Sequence, residues 1–180
     1  MAIIGCYKCP NLCKFCKLYL VESKQFTSYH TEQTFNTKYD LSCDSKWVIY
    51  LINDLICKRS YVGSSETKCK DRWANHKSHI RREVESCELT KHFNNGRKNH
   101  AFSRTATLSQ YDKTLTNQFE IIIIDQLSEN ANTEKLKDRE AFWQSQLKTY
   151  IEYGGLNKRD SRLESSKSYL NPIKPQSCGQ

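Results

Sequence analysis

Trp47-Val48-Ile49-Tyr50-Leu51-Ile52 is a β-branched and aromatic run that predicts a strand, and Ser60-Tyr61-Val62-Gly63 offers a second. Asn53-Asp54 supplies turn residues between them, so the two read as an antiparallel hairpin. Ser64, Ser65 and Thr67 can cap a helix over about 70–82, with Trp73 and Ile80 on its inner face. A shorter helix is expected over 88–93. Phe119-Glu120-Ile121-Ile122-Ile123-Ile124-Asp125 is apolar without alternation, the pattern of a strand buried on both faces and expected in the middle of a sheet. A last helix is expected over about 133–150, stopped by Gly154-Gly155.

The order of hairpin, helix, helix, strand and helix predicts a small α+β domain, a three-stranded antiparallel sheet flanked by helices, over residues 46–160. Residues 94–117 are polar, with Asn94-Asn95-Gly96 as a turn signal and scattered positive charge at Arg97, Lys98, Arg104 and Lys113. Residues 161–180 read as a flexible tail. Residues 1–45 show the periodicity of neither a long helix nor a clean strand, and are rich in cysteine.

Composition narrows the partners. Lys and Arg number 28 against 20 Asp and Glu, and 28 − 20 leaves +8, which favours polyanions, nucleic acid first among them. No stretch reaches the ~20 apolar residues that span a bilayer, and the start is too short for a signal-peptide core. The expectation is a soluble, intracellular protein without a membrane partner. In a reducing compartment, the odd count of 9 cysteines argues for metal binding over a paired disulfide framework. Cys6-Tyr7-Lys8-Cys9 and Cys13-Lys14-Phe15-Cys16 are C-x-x-C pairs, the spacing at which a tight turn brings two thiolates onto one tetrahedral zinc ion. Four ligands so close in sequence would be cramped, so a distant ligand is expected to close the loop. Free thiols are the alternative. A zinc ion here would be structural, giving shape to a segment with little core of its own.

In the last helix, Leu136, Trp143 and Leu147 form an apolar stripe, and Glu140 lies on it. A carboxylate in that position needs a cation, a metal ion or hydrogen bonds. An ion pair at the stripe's edge and a metal ligand are both open readings. On the helix after the hairpin, Arg72, His76 and His79 share a polar edge beside Trp73 and Ile80. Taken singly, each is also an ordinary surface residue.

The joint pattern is more specific. Val48-Ile49-Tyr50, with Tyr50 eleven residues before the Tyr61 of Tyr61-Val62-Gly63, resembles the paired signature of the GIY-YIG nucleases, with Val for the first Gly and Val for the second Ile. Tyr61-Val62-Gly63-Ser64-Ser65, Asp71-Arg72-Trp73-Ala74-Asn75-His76, Glu140-Ala141-Phe142-Trp143 and Gly154-Gly155-Leu156-Asn157 continue the likeness over roughly 46–159. The cysteines ahead of this region, with Phe26-Thr27-Ser28 and Cys87-Glu88-Leu89-Thr90-Lys91-His92-Phe93, are similar to the endonuclease domain of Penelope-like retroelements.

The resemblance implies a DNA-nicking phosphodiesterase that uses Mg²⁺ or Mn²⁺. It implies Glu140 as the catalytic metal ligand and Tyr50 as general base, oriented by His76. Tyr61 would orient water or phosphate, Arg72 would hold phosphate oxygens, and Asn157 would position the metal site or cap local backbone. A phenol with its usual pKa of about 10 is a poor base at neutral pH, so Tyr50 in this role needs a cation nearby. For zinc the likeness points to Cys9, Cys13, Cys16 and Cys43, with Cys6, His30 and Cys57 as substitutes. It also implies DNA as partner, a reverse transcriptase domain in a parent polypeptide, a nuclear location and a role in retroelement integration. The alternative is a catalytically inactive zinc-containing DNA-binding module.

Overall fold

The computed structural model describes residues 4–95 and 118–159. Three strands, β5 (Val48–Asp54), β6 (Arg59–Ser65) and β7 (Phe119–Gln126), form an antiparallel sheet in the order β6-β5-β7. Every residue of β5 is buried, as its apolar run requires of a central strand. Among the described residues, three helices flank the sheet: α2 (Cys69–Arg82), α3 (Glu88–Asn95) and α4 (Thr133–Gln146). The expected α+β domain with a three-stranded antiparallel sheet is therefore what forms.

Several expectations are corrected. β7 lies at a side of the sheet, not in its middle. Its outer edge is covered by residues 19–21: Leu20 bridges Ile121 in parallel, Val21 N–H donates to Ile121 O and Ile121 N–H to Tyr19 O. That strap shields the strand, so a sequence buried on both faces sits there without exposing an edge. Asn53 and Asp54 belong to β5, and the turn follows them. Asp54 Oδ1 accepts from Ile56 N–H and Cys57 N–H at 2.9 Å each, and Lys58 takes a positive φ of 53°.

Ser64, Ser65 and Thr67 do not cap α2. The N-cap is Lys68, without a side-chain bond. The carbonyls of Ser45 and Cys43 instead accept from Cys69 N–H and Lys70 N–H, both at 3.2 Å, so backbone from the cysteine segment satisfies donors of the first turn. α3 runs through Asn95, past the expected turn at Asn94-Asn95. α4 is capped by Asn132, whose side chain accepts from Lys135 N–H, and it ends at Gln146. Lys148 follows with φ 50°, so the helix breaks before Tyr150, and Gly154, φ 88°, closes a separate 3-10 turn over Ile151–Tyr153. The charges at 97–113 and the 161–180 tail lie outside the described residues.

The cysteine segment has regular structure in short pieces: β1 (Gly5–Tyr7), α1 (Lys14–Leu18), β2 (Gln25–Phe26), β3 (Phe35–Asn36) and β4 (Asp40–Ser42). β1 pairs with β4 in parallel and β2 with β3 antiparallel. Strands of two or three residues are too short to display alternation. Cys6, Phe15, Cys16, Tyr19, Leu20, Phe26 and Leu41 join the same apolar core as the sheet and helices. Tyr19 meets Trp73 at 5.1 Å between ring centres, and Phe26 meets Trp143 at 5.1 Å.

Candidate active site and metal centres

Tyr50 sits on the central strand directly opposite Gly63 on β6. Its ring lies over that glycine: a Cβ on residue 63 would fall 2.5 Å from the Tyr50 hydroxyl oxygen. The glycine of Tyr61-Val62-Gly63 thus makes room for the phenol. One turn apart on α2, Arg72 and His76 converge on it from the helix side. Arg72 Nε–H donates to Tyr50 Oη at 3.3 Å, and Tyr50 Oη lies 2.8 Å from His76 Nε2. A guanidinium only donates, so the Tyr50 oxygen accepts in the first bond, while the direction of the second is set by which ring nitrogen of His76 carries the proton. Tyr61 stands edge-on to the same imidazole, 6.2 Å between ring centres.

Burial sets the electrostatics. It pushes the Tyr50 phenol well up against the pull of the Arg72 guanidinium, and Tyr61 is likewise raised by burial. Burial, with the charge of Arg72, pushes His76 down to about 3, so the imidazole is neutral and able to accept a proton. The cation that a basic Tyr50 requires is present in Arg72, but desolvation outweighs it in the resting protein.

Glu140 comes from α4 onto β6. Its carboxylate accepts from Ser64 Oγ–H, from Lys137 Nζ at 2.7 Å and from Gln144 Nε2 at 3.1 Å. Its negative charge reaches both phenols, where it opposes ionisation. The donor set suits a hard divalent cation: one carboxylate and one hydroxyl, oxygen ligands of the kind Mg²⁺ takes alongside water. Lys137, whose side chain is 57% exposed, shows that this carboxylate draws positive charge from the solvent side. Both readings of Glu140, ion pair and metal ligand, are thus compatible with its surroundings.

Asn157 makes paired bonds to Val62 on the outer edge of β6. Val62 N–H donates to its Oδ1, and its Nδ2 donates to Val62 O, each at 2.8 Å. Gln144 Nε2 donates to the same carbonyl at 3.4 Å. Of the two roles expected for Asn157, the side chain performs backbone capping. His79 points away from the cluster to Ser86 Oγ. Three residues around Glu140 carried little sequence signal. Lys137 and Gln144 are visible only as its i−3 and i+4 neighbours on the helix, and Ser64 only as part of the second motif.

The cysteine cluster is formed by Cys9, Cys13, Cys16 and Cys43, whose sulfurs all lie within 4.8 Å of one another. Sulfurs about 2.3 Å from a central zinc have tetrahedral edges of about 3.8 Å; Cys13 Sγ and Cys43 Sγ are 3.7 Å apart. Cys13 N–H donates to Cys9 Sγ and Cys9 N–H to Cys16 Sγ, both at 3.3 Å, an arrangement that favours thiolates. The Cys13 N–H pulls Cys9 down to about 7, whereas burial pushes Cys16 up to about 11 and raises Cys43. These four residues could hold zinc. Cys6 and His30 are not in the cluster: Cys6 is enclosed in the core, and His30 Nε2 accepts from Ser60 N–H. Cys57 lies elsewhere, beside Asp54 and His92.

The whole is an α+β protein in which a half-buried arginine meets a buried tyrosine and histidine, with a clamped acid beside β6 and a cluster of four cysteines. No protein-family profile matches the chain, and no curated protein matches it. Its structure is similar to the catalytic domain of the homing endonuclease I-TevI, with 21% identity, a TM-score of 0.45, and coverage of 63% of this chain and 98% of that one. A glutamate-to-alanine mutant of the intron endonuclease I-TevI catalytic domain gives 23% identity, a TM-score of 0.44, and coverage of 63% and 93%. Likeness at that level leaves the functional reading to the site itself. Among the described residues, no helix is long and apolar enough to cross a membrane.

Proposed function

We propose that this chain is a metal-dependent endonuclease of the GIY-YIG type that nicks DNA. The observation that carries the reading is the buried phenol of Tyr50, hydrogen-bonded both to the Arg72 guanidinium and to the neutral imidazole of His76, on the motif the resemblance assigns to catalysis. The +8 charge fits a polyanionic substrate.

Hydrolysis needs water to lose a proton as its oxygen bonds to phosphorus, while the bridging oxygen departs with the bond's electrons and takes up a proton. Tyr50 Oη receives the water proton as it passes its own to His76 Nε2. No free phenolate is then required, which accommodates the upward shift of the tyrosine. The resulting imidazolium is unfavourable in the resting site, where burial and Arg72 hold His76 neutral. An arriving phosphate brings negative charge that offsets both effects. Arg72, bonded through Nε to the phenol, offers its remaining donors to phosphate oxygens. Tyr61 borders the imidazole edge-on. Glu140, with Ser64 beside it, would hold Mg²⁺ or Mn²⁺, and Lys137 must swing aside. Such an ion supplies positive charge to the phosphate and the departing oxygen.

Zinc on Cys9, Cys13, Cys16 and Cys43 is part of the proposal, supported by the sulfur spacing and the N–H···S bonds. The likeness to Penelope-like elements extends it to a nuclear enzyme whose nicks serve integration, beside a reverse transcriptase domain in a parent polypeptide. The Lys137 clamp on Glu140 favours one second reading, an inactive zinc-containing DNA-binding module in which the lysine permanently replaces the metal.

Supercoiled plasmid incubated with wild type or Glu140→Ala, in Mg²⁺ or in EDTA, separates the two. Relaxed circles only with wild type and Mg²⁺ support the nuclease. Salt-sensitive DNA binding without nicking by folded, zinc-loaded protein supports the binding module.

A further inference from the structure

The proposed relay needs His76 Nε2 as an acceptor and therefore its proton on Nδ1, and that nitrogen faces a residue with no assigned part in the site. Cys87 Sγ lies 3.8 Å from His76 Nδ1. The thiol is held in place by local structure. Cys87 precedes α3, its N–H donates to Thr90 Oγ1 at 3.1 Å, and Thr90 Oγ1 donates back to Cys87 O at 2.8 Å, a reciprocal bond at a helix start. Lys91 N–H donates to Cys87 O at 3.0 Å. Thr90, Leu89 and Phe93 are buried, so α3 is anchored in the core.

We infer that Cys87 is a positioning residue of the Tyr50-His76 pair: its sulfur accepts a hydrogen bond from Nδ1–H and fixes the imidazole in the tautomer whose Nε2 takes the proton of Tyr50. A neutral histidine carries one ring proton, so a partner that holds it on Nδ1 keeps Nε2 open as an acceptor. Without that partner the ring can protonate at Nε2. Two donors then face each other across the 2.8 Å between Nε2 and Tyr50, and the relay is blocked. The catalytic side of this inference rests on the proposed nuclease reading; the tautomer side does not.

The test compares full-length, zinc-loaded wild type with Cys87→Ser and Cys87→Ala. Long-range ¹⁵N–¹H spectra of labelled histidine report the His76 tautomer directly, with His76→Gln assigning the signal. Wild type and Cys87→Ser, which keeps an acceptor, are expected to show the Nδ1-protonated form, and Cys87→Ala a mixture with the Nε2-protonated form. In plasmid nicking, Cys87→Ala is expected to lower kcat by about 10- to 100-fold, the range for partners that orient a functional histidine. KM should be unchanged, and Cys87→Ser should retain most of the rate. A His76 tautomer identical in all three proteins overturns the inference. So does wild-type kcat in Cys87→Ala. If wild type itself does not nick, the nuclease reading fails and the spectra alone decide the role of Cys87.

Discussion

Gly63 and Tyr50 show how closely one residue's absent side chain can govern another's chemistry. The phenol crosses the glycine at a distance that leaves no space for a methyl group. In Gly63→Ala the ring must move, and with it the bonds to Arg72 and His76. Overpacking of this kind costs about 1–3 kcal/mol. The expected outcome is a lower thermal midpoint together with a loss of nicking out of proportion to the fall in folded fraction, checked by circular dichroism and the plasmid assay on the same samples. Full activity in Gly63→Ala would show that the phenol need not sit where it does. His76 carries a second prediction at this scale. Its folded-state pKa is pushed down to about 3, while an unfolded histidine titrates near 6.5. Between those values the unfolded chain binds more protons than the folded one, so this contribution to stability is fully present above about pH 6.5 and is lost as pH falls toward 3. Thermal midpoints measured across that window should fall more steeply for wild type than for His76→Gln. Parallel curves would mean that His76 is already protonated in the fold.

At the level of elements, β6 is the strand that gathers the site: it presents Tyr61, Gly63 and Ser64, and its outer edge is fastened by the side chain of Asn157 to Val62. Asn157→Ala leaves the buried Val62 N–H without its partner and the Val62 carbonyl with only the longer bond from Gln144, and one unsatisfied group costs about 1–3 kcal/mol. Lower stability and slower nicking are expected, with unchanged dependence on Mg²⁺ concentration. A large increase in the Mg²⁺ needed would assign Asn157 to the metal site instead. The role of each element was unevenly legible in the sequence. The hairpin was legible in its β-branched and aromatic runs, the two long helices in their apolar spacing, and the run from Phe119 to Asp125 in its continuous apolar character. Its place at the side of the sheet was not readable, because the strap at 19–21 that covers it lies a hundred residues away and has no pattern of its own. The α2 cap was misplaced for a similar reason: Ser64, Ser65 and Thr67 are good capping types, but Ser64 is committed to Glu140, Ser65 turns to the Thr67 carbonyl, and more distant backbone supplies the cap. Tyr50, Tyr61, Arg72, His76 and Glu140 were singled out by motif spacing, and the structure brings the first four together around one imidazole. Lys137 and Gln144 were hidden by being common residues on a helix.

Across the whole molecule, the cysteine knot and the Tyr50 site are joined by a short mechanical path. Cys43 and Ser45 provide the carbonyls that accept from the first N–H groups of α2, and Asp44 between them pairs with Lys68 and Lys70 at 2.9 and 2.8 Å. Two residues further on is Arg72, and one turn later His76. Cys43 closes the sulfur cluster from this same loop, so an ion holding the cluster together also holds the start of α2. The segment contributes Phe15, Cys16, Tyr19 and Leu20 to the common core and covers the edge of β7, so it is not a detachable appendage in packing terms. Loss of the zinc proposed for this cluster should therefore do more than melt the first 45 residues. Removal with a thiol-compatible zinc chelator that leaves Mg²⁺ free, or substitution Cys43→Ser, is expected to release one zinc per chain, lower the thermal midpoint of a single whole-protein transition, and abolish nicking even with Mg²⁺ in excess. Metal content by atomic absorption, melting followed at far-ultraviolet and tryptophan signals, and plasmid relaxation check the three parts together. Two separated transitions, with the nuclease core retaining its activity after zinc leaves, would break the proposed link between the knot and α2. A single transition that falls in step with zinc loss would make the cysteine loop the cap on which Arg72 and His76 depend.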